Sequence, residues 1–171
     1  MSAVSAENEQ RDMSERIRSR MAQINESEPE SIAGMLRFRL VSCERDDITM
    51  TCQTMPWMRN PAGTLHGGMG AAILDQAMGF VAYCVMPGEG IAPTIQMQVS
   101  YHRALIPGEE IVVKVWTVSV TKSLMSFRAE AFQTSKPEKL CLSGSATYFY
   151  KPARCVSARE GGEPGFAGWF F

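Results

Sequence analysis

From Met69 to Met86 the chain runs for 18 residues in which the only hydrogen-bonding side chains before Tyr83 are Asp75 and Gln76. A stretch that is apolar on every face has to be enclosed on nearly all sides, by lipid or by the rest of a folded domain. Its length lies near the lower limit for spanning a bilayer, a carboxylate stands in its first half, and Gly70 and Gly79 interrupt it. The stretch is therefore expected to be the central helix of a globular core, closed by the stop signal Pro87-Gly-Glu-Gly90.

The helix is entered through a polar turn, Asn60-Pro-Ala-Gly63-Thr-Leu-His66-Gly67-Gly68. At Gly67 and Gly68 no Cβ crowds the backbone, and the first turn of a helix leaves its N–H groups unsatisfied, so an electronegative group is welcome there. Asp75 needs an explanation of its own, because a buried, unpaired charge costs several kcal/mol or is neutralised. Either it is a core Asp satisfied by Gln76 or a neighbouring chain, or it is a general base or nucleophile. On one helix His66 and Asp75, nine residues apart, lie roughly 13 Å apart along the axis and on opposite sides. If the Gly67 amide and the Asp75 carboxylate act on one substrate, the two must come from different subunits, as an antiparallel helix pair about a two-fold axis would arrange.

Six strand-like runs surround this helix in sequence. Leu36–Cys43 and Ile48–Thr54 precede it, separated by Glu-Arg-Asp-Asp. Thr94–His102, Glu110–Thr121, Leu124–Thr134 and Leu140–Tyr150 follow, joined by loops too short for crossover helices, so antiparallel pairing is expected. In the first of these four, Ile95, Met97, Val99 and Tyr101 alternate with Gln96, Gln98 and Ser100. The class is α+β, an antiparallel sheet wrapped around one long helix. A sheet covering only one side of an apolar helix leaves the other to a second copy, and joining sheets edge to edge would also remove two exposed edges.

Residues 1–30 are read as an N-terminal amphipathic helix and linker, with Met13, Ile17, Met21 and Ile24 at helical spacing. Such a helix packs on its own domain's surface or serves as a lid or inter-subunit clamp. Residues 31–151 form the single domain, and 152–171 are read as a mobile tail whose Trp169-Phe170-Phe171 would dock on a neighbour or in an apolar pocket. Charge is nearly balanced, at −1, which gives no nucleic-acid footprint. The five cysteines form no Cys-x-x-Cys pair, and with only His66 and His102 in the chain no metal site is expected. No basic, then apolar, leader is visible, so a reducing cytoplasm is expected.

At Asn60, Gly63, His66-Gly67-Gly68 and Asp75, with the spacing intact, the sequence resembles the hotdog-fold acyl-CoA thioesterases, in particular the PaaI-like and THEM2-like branch; the resemblance covers roughly residues 35–150. It implies the hotdog fold and hydrolysis of an acyl-CoA to free acid and CoA, without a cofactor. The resemblance gives Asn60 and the Gly67 amide the polarising of the carbonyl, Asp75 of the facing subunit the role of base or nucleophile, and Thr94 that of a supporting hydroxyl. His66 would chiefly shape the turn. Substrate contacts are expected at Gly68, Gln76, Trp57 and Arg103, with Lys122, Arg128 and Lys151 further candidates for the coenzyme phosphates. The sequence departs from the family after Tyr101, where His102-Arg103-Ala104-Leu105 delays the proline to Pro107. A homodimer is the minimal active unit and a homotetramer is expected, with neither nucleic acid nor membrane as partner. The acyl group, aromatic or medium to long aliphatic, stays open. A hydratase would need a different turn around its His; the alternative to the enzyme is a non-catalytic acyl-CoA-binding protein, a sensor or structural subunit, which leaves Asp75 without a role.

Overall fold

The computed structural model of the chain describes residues 3–44 and 47–153. The glycine-rich turn opens into helix α3, Gly67–Val85, as its composition demands, and α1, Ala3–Ser27, and α2, Ile32–Leu36, precede it. The strands are β1 Arg39–Cys43, β2 Asp47–Gln53, β3 Gly90–Ile91, β4 Thr94–Tyr101, β5 Glu110–Val120, β6 Leu124–Gln133, β7 Leu140–Phe149 and β8 Lys151–Pro152. Six of them form one antiparallel sheet in the order β1-β2-β5-β6-β7-β4. The chain leaves β2, builds α3, lays β4 at the far edge and returns to the middle with β5. The central helix thus becomes the connection across the concave face.

Alternation along the strands supplies the core. Ile48, Met50 and Cys52 of β2, Ile111, Val113 and Val115 of β5, and Met125, Phe127, Ala129 and Ala131 of β6 are buried, against Ile73, Leu74, Ala77, Met78 and Val81 of α3. Fully burying a Val, Leu, Ile, Met or Phe side chain contributes roughly 1.5–3 kcal/mol. By length and composition α3 would reach across a bilayer, but the sheet wraps it instead. The first strand starts later than its composition suggests. Ser31 Oγ caps α2 by accepting from the Gly34 N–H at 3.0 Å, so Leu36 ends that helix, and Arg37 turns the chain in a left-handed conformation (φ 46°) before β1 begins.

Strict alternation fails at three exposed β-branched residues, Val41 (57 % exposed), Ile95 (58 %) and Val118 (66 %). Each is the extra residue of a β-bulge, at the register shifts Leu40/Ser42, Thr94/Gln96 and Thr117/Ser119. The alternation expected for Thr94–His102 is thereby corrected: Ile95 turns out to solvent while Met97 and Val99 pack on the core. Lys151–Pro152 pairs with Gly90–Ile91, so the paired chain runs on past Tyr150. The terminal aromatics Trp169, Phe170 and Phe171 and Cys155 lie outside the described residues.

Helix α1 packs on its own domain. Ile17, Met21 and Ile24 are buried in the common core, Gln10 Nε2 donates to the Cys43 carbonyl at 2.8 Å, and the Arg20 guanidinium lies 4.8 Å from the Tyr83 ring centre.

Cys43, Cys52, Cys84 and Cys141 are buried free thiols. Desolvation pushes Cys52 up to about 12 and Cys84 up to about 11, from an ordinary value of 9.0. The unfolded chain therefore ionises these thiols first, so their contribution to stability is intact below pH 9.0 and is lost as pH rises towards 11–12. A melting temperature that falls over that window is expected, and it should fall less in Cys52→Ala measured against its own value at neutral pH. A variant with the same alkaline slope as wild type would refute the assignment to Cys52.

Candidate active site

The turn before α3 is built by short-range hydrogen bonds. Asn60 Oδ1 accepts from the N–H groups of Ala62 (3.0 Å) and Thr64 (3.2 Å), and its Nδ2 donates to Thr64 Oγ1 at 2.9 Å. Gly63 stands at φ 81°, where a side chain would be strained. His66 is the N-cap: its Nδ1 accepts from the Gly68 N–H at 3.0 Å, which places the proton of the neutral ring on Nε2. A Cβ on Gly68 would stand 3.1 Å from that Nδ1, so the absence of a side chain there lets the ring fold over the turn.

The remaining amides can be accounted for one by one. The Leu65 N–H donates to the Leu105 carbonyl, His66 to Met58, and Met69 and Gly70 both to the His66 carbonyl. Gly67 N–H, the first of the helix, is left with no acceptor among the described residues. It opens on a cleft of about 300 Å³ lined by Asn60, Thr64, Leu65, His66, Gly67, Gly70, Tyr101, His102, Arg103, Ala104, Leu105 and Leu142. Tyr101 closes one wall, its hydroxyl donating to the Gly67 carbonyl at 2.8 Å.

Asp75 is not in that cleft. It stands two turns along α3, beside half-buried Ala72, Gln76 and Gly79, on a half-buried stripe of the helix at the β4 edge of the sheet. Thr94 Oγ1 donates to Asp75 Oδ1 at 2.7 Å, and Tyr148 Oη lies 2.8 Å from the same oxygen. The structure therefore brings Asn60, His66, Gly67, Gly68 and Arg103 to the N-terminal end of α3 and Asp75, Gln76 and Thr94 to its middle, as two separate polar groups.

Trp57 joins neither. It is 58 % exposed and lines a separate groove of about 680 Å³ with Met35, Met55, Arg37 and Arg39. Arg103 is pinned through Nη1 to the Leu140 carbonyl at 2.8 Å, and Arg128 packs over the Trp116 ring at 5.0 Å. Two tyrosines went unread in the sequence as site residues. Tyr101 touches Gly67, and Tyr148, buried in the core, reaches Asp75. The available signal was chemical: a strand tyrosine turned inward needs a partner for its hydroxyl, and Asp75 is the carboxylate of the apolar helix.

Residues 62–139 match the family model described as "Thioesterase superfamily". No curated protein matches the chain. Among solved structures, the zebra fish thioesterase superfamily member 2 aligns with a TM-score of 0.66 at 19 % identity, over 78 % of this chain and 98 % of that one. The Escherichia coli PaaI protein of the phenylacetic acid degradation operon aligns at 0.65 and 13 %, over 81 % and 96 %. The protein smu.793 of Streptococcus mutans, bound to acetyl-CoA, aligns at 0.59 and 20 %, over 67 % and 89 %. These likenesses show the fold, the one that the sequence resemblance implies.

Proposed function

We propose that this chain, whose residues 62–139 match the thioesterase superfamily model and whose fold is that of its structural neighbours, is an acyl-CoA thioesterase whose active sites are each shared by two subunits. The observation that carries this reading is the unpartnered Gly67 N–H at the positive end of α3, opening on a cleft that lacks the carboxylate it would need. The thioester carbonyl oxygen accepts from Gly67, with the free hydrogen of Asn60 Nδ2 beside it, so negative charge develops against fixed donors. Asp75 of the facing subunit takes a proton from water as the water oxygen bonds to the carbonyl carbon. The C–S bond then breaks, and the proton leaves with the thiolate as coenzyme A. Attack by Asp75 itself, through an anhydride that water then opens, uses the same groups.

A second copy is supported by β4. It is the last strand of the sheet, its residues from Thr94 to Tyr101 are exposed or half-buried, and it adjoins the half-buried stripe of α3 that carries Asp75. Pairing β4 with β4 of the copy about a two-fold axis covers both and lays each Asp75 towards the other Gly67. Further pairing to a homotetramer and a cytoplasmic setting for the four buried free thiols belong to the same reading.

Arg103 and Ala104 also line a neighbouring groove of about 430 Å³ with Lys136 and Lys139, and neither lysine forms an ion pair among the described residues. The coenzyme phosphates are assigned to this groove. Reversing both lysines to Glu is expected to raise KM for an acyl-CoA about tenfold and leave that for the matching acyl-N-acetylcysteamine, which has no phosphates, unchanged. Equal effects on both substrates would remove the lysines from the phosphate site.

Thiol release from a panel of aromatic and aliphatic acyl-CoAs tests the function and names the acyl group. Binding of acyl-CoA without release of thiol from any member would replace the enzyme with an acyl-CoA-binding module.

A further inference from the structure

The Asp75 carboxylate is held from one side. Thr94 on β4 and Tyr148 on β7 are direct cross-strand partners in the antiparallel ladder, and this register delivers two hydroxyls to one oxygen, Oδ1, at 2.7 and 2.8 Å. Oδ2 has no hydrogen-bond partner among the described residues. Tyr148 is 2 % exposed, its ring stacks edge-on against Phe127 at 5.7 Å, and its hydroxyl also lies 2.8 Å from the Asp75 carbonyl oxygen. A hydroxyl at the end of a ring locked in the core is a rigid donor, unlike a surface side chain that would need ordering first.

We infer that Tyr148 is a positioning residue for Asp75: together with Thr94 it anchors Oδ1, fixes the plane of the carboxylate, and leaves Oδ2 as the oxygen that acts on water. The inference rests on Asp75 being the base. The second acceptor of Tyr148 gives it a further use. When Oδ2 carries the proton taken from water and Oδ1 becomes a weaker acceptor, the tyrosine proton can turn to the Asp75 carbonyl without leaving a buried donor unpaired.

The groups that face Asp75 from the packed strands are the Thr94 hydroxyl and the Tyr148 hydroxyl. Of the two only Tyr148 titrates, and burial, with the Asp75 charge beside it, pushes its ionisation upward out of the working range.

The test compares wild type with Tyr148→Phe, which keeps the ring and its packing. In protein labelled with 13C at the aspartate carboxyls, the resonance assigned to Asp75 by its absence in Asp75→Asn is expected to change its chemical shift in Tyr148→Phe, because a donor to Oδ1 is gone. With that anchor lost, kcat should fall about tenfold while KM stays within about twofold. Thr94→Val should move the resonance and lower kcat likewise, and the double variant further than either. An Asp75 resonance unmoved in Tyr148→Phe overturns the inference, whatever happens to activity. A wild type that releases no thiol sinks the thioesterase reading alone, since the carboxyl resonance still decides whether Tyr148 holds Asp75.

Discussion

Asp75→Asn is expected to lower kcat by about 10²–10⁴, the range in which a positioned base contributes, with little change in KM. The substitution is nearly isosteric, and the amide oxygen can still accept from Thr94 Oγ1 and Tyr148 Oη, so the packing of α3 against β4 and β7 is retained. What is lost is the group that receives the proton. A variant that keeps kcat to within about tenfold, with a circular dichroism spectrum and melting temperature like those of wild type, would make Asp75 a structural carboxylate and remove the base from the mechanism.

Gly67→Pro should cost at least about 10²–10³ in kcat, because it removes the N–H and sets the ring Cδ where its hydrogen pointed. Gly67 is the first residue of α3, the position where proline is favoured because its missing N–H has no helical partner. His66 before it is already extended, at φ −60° and ψ 134°, as a residue preceding proline must be. The nearest atom to an added Cβ would be a carbon of the Tyr101 ring at 3.5 Å, an ordinary contact. Unchanged kcat in a folded Gly67→Pro protein would show that the oxyanion is held elsewhere.

The two variants together test the shared site. In a heterodimer of one Gly67→Pro chain and one Asp75→Asn chain, isolated through two different tags, one site carries both lesions and the other carries neither. About half of the wild-type activity per dimer is then expected from two chains that are each nearly inactive alone. A heterodimer no more active than its parents would place donor and carboxylate in one subunit, against the separation seen along α3.

Much of this was open to reading in the chain itself. An 18-residue apolar run has one place in a domain of this size, and α3 occupies it. Helical geometry is rigid enough that the spacing of His66 and Asp75 already forbids a common site within one chain, and the structure keeps Asp75 out of the cleft beside Gly67. The strands were read from alternation because burial on one face leaves a period of two in the residues themselves.

Only tertiary structure decided the rest. Thr94 and Tyr101 are seven residues apart on β4, which strict alternation sends to opposite faces, yet both hydroxyls meet α3, at Asp75 and at Gly67. The bulge at Ile95 makes this possible by inserting one residue against β7, and nothing in the local pattern announces it. Tyr148 reaches Asp75 across 73 residues of chain through the register that pairs it with Thr94. Asn60, assigned to the substrate by resemblance, is largely engaged in bonding its own loop. Periodicity records what a residue's near neighbours in the chain require, so it fixed the helix, the strands and the separation of Gly67 from Asp75. Bulges, cross-strand partners and the sharing of a carboxylate depend on which strand lies alongside, and that is settled only when the sheet closes around the helix.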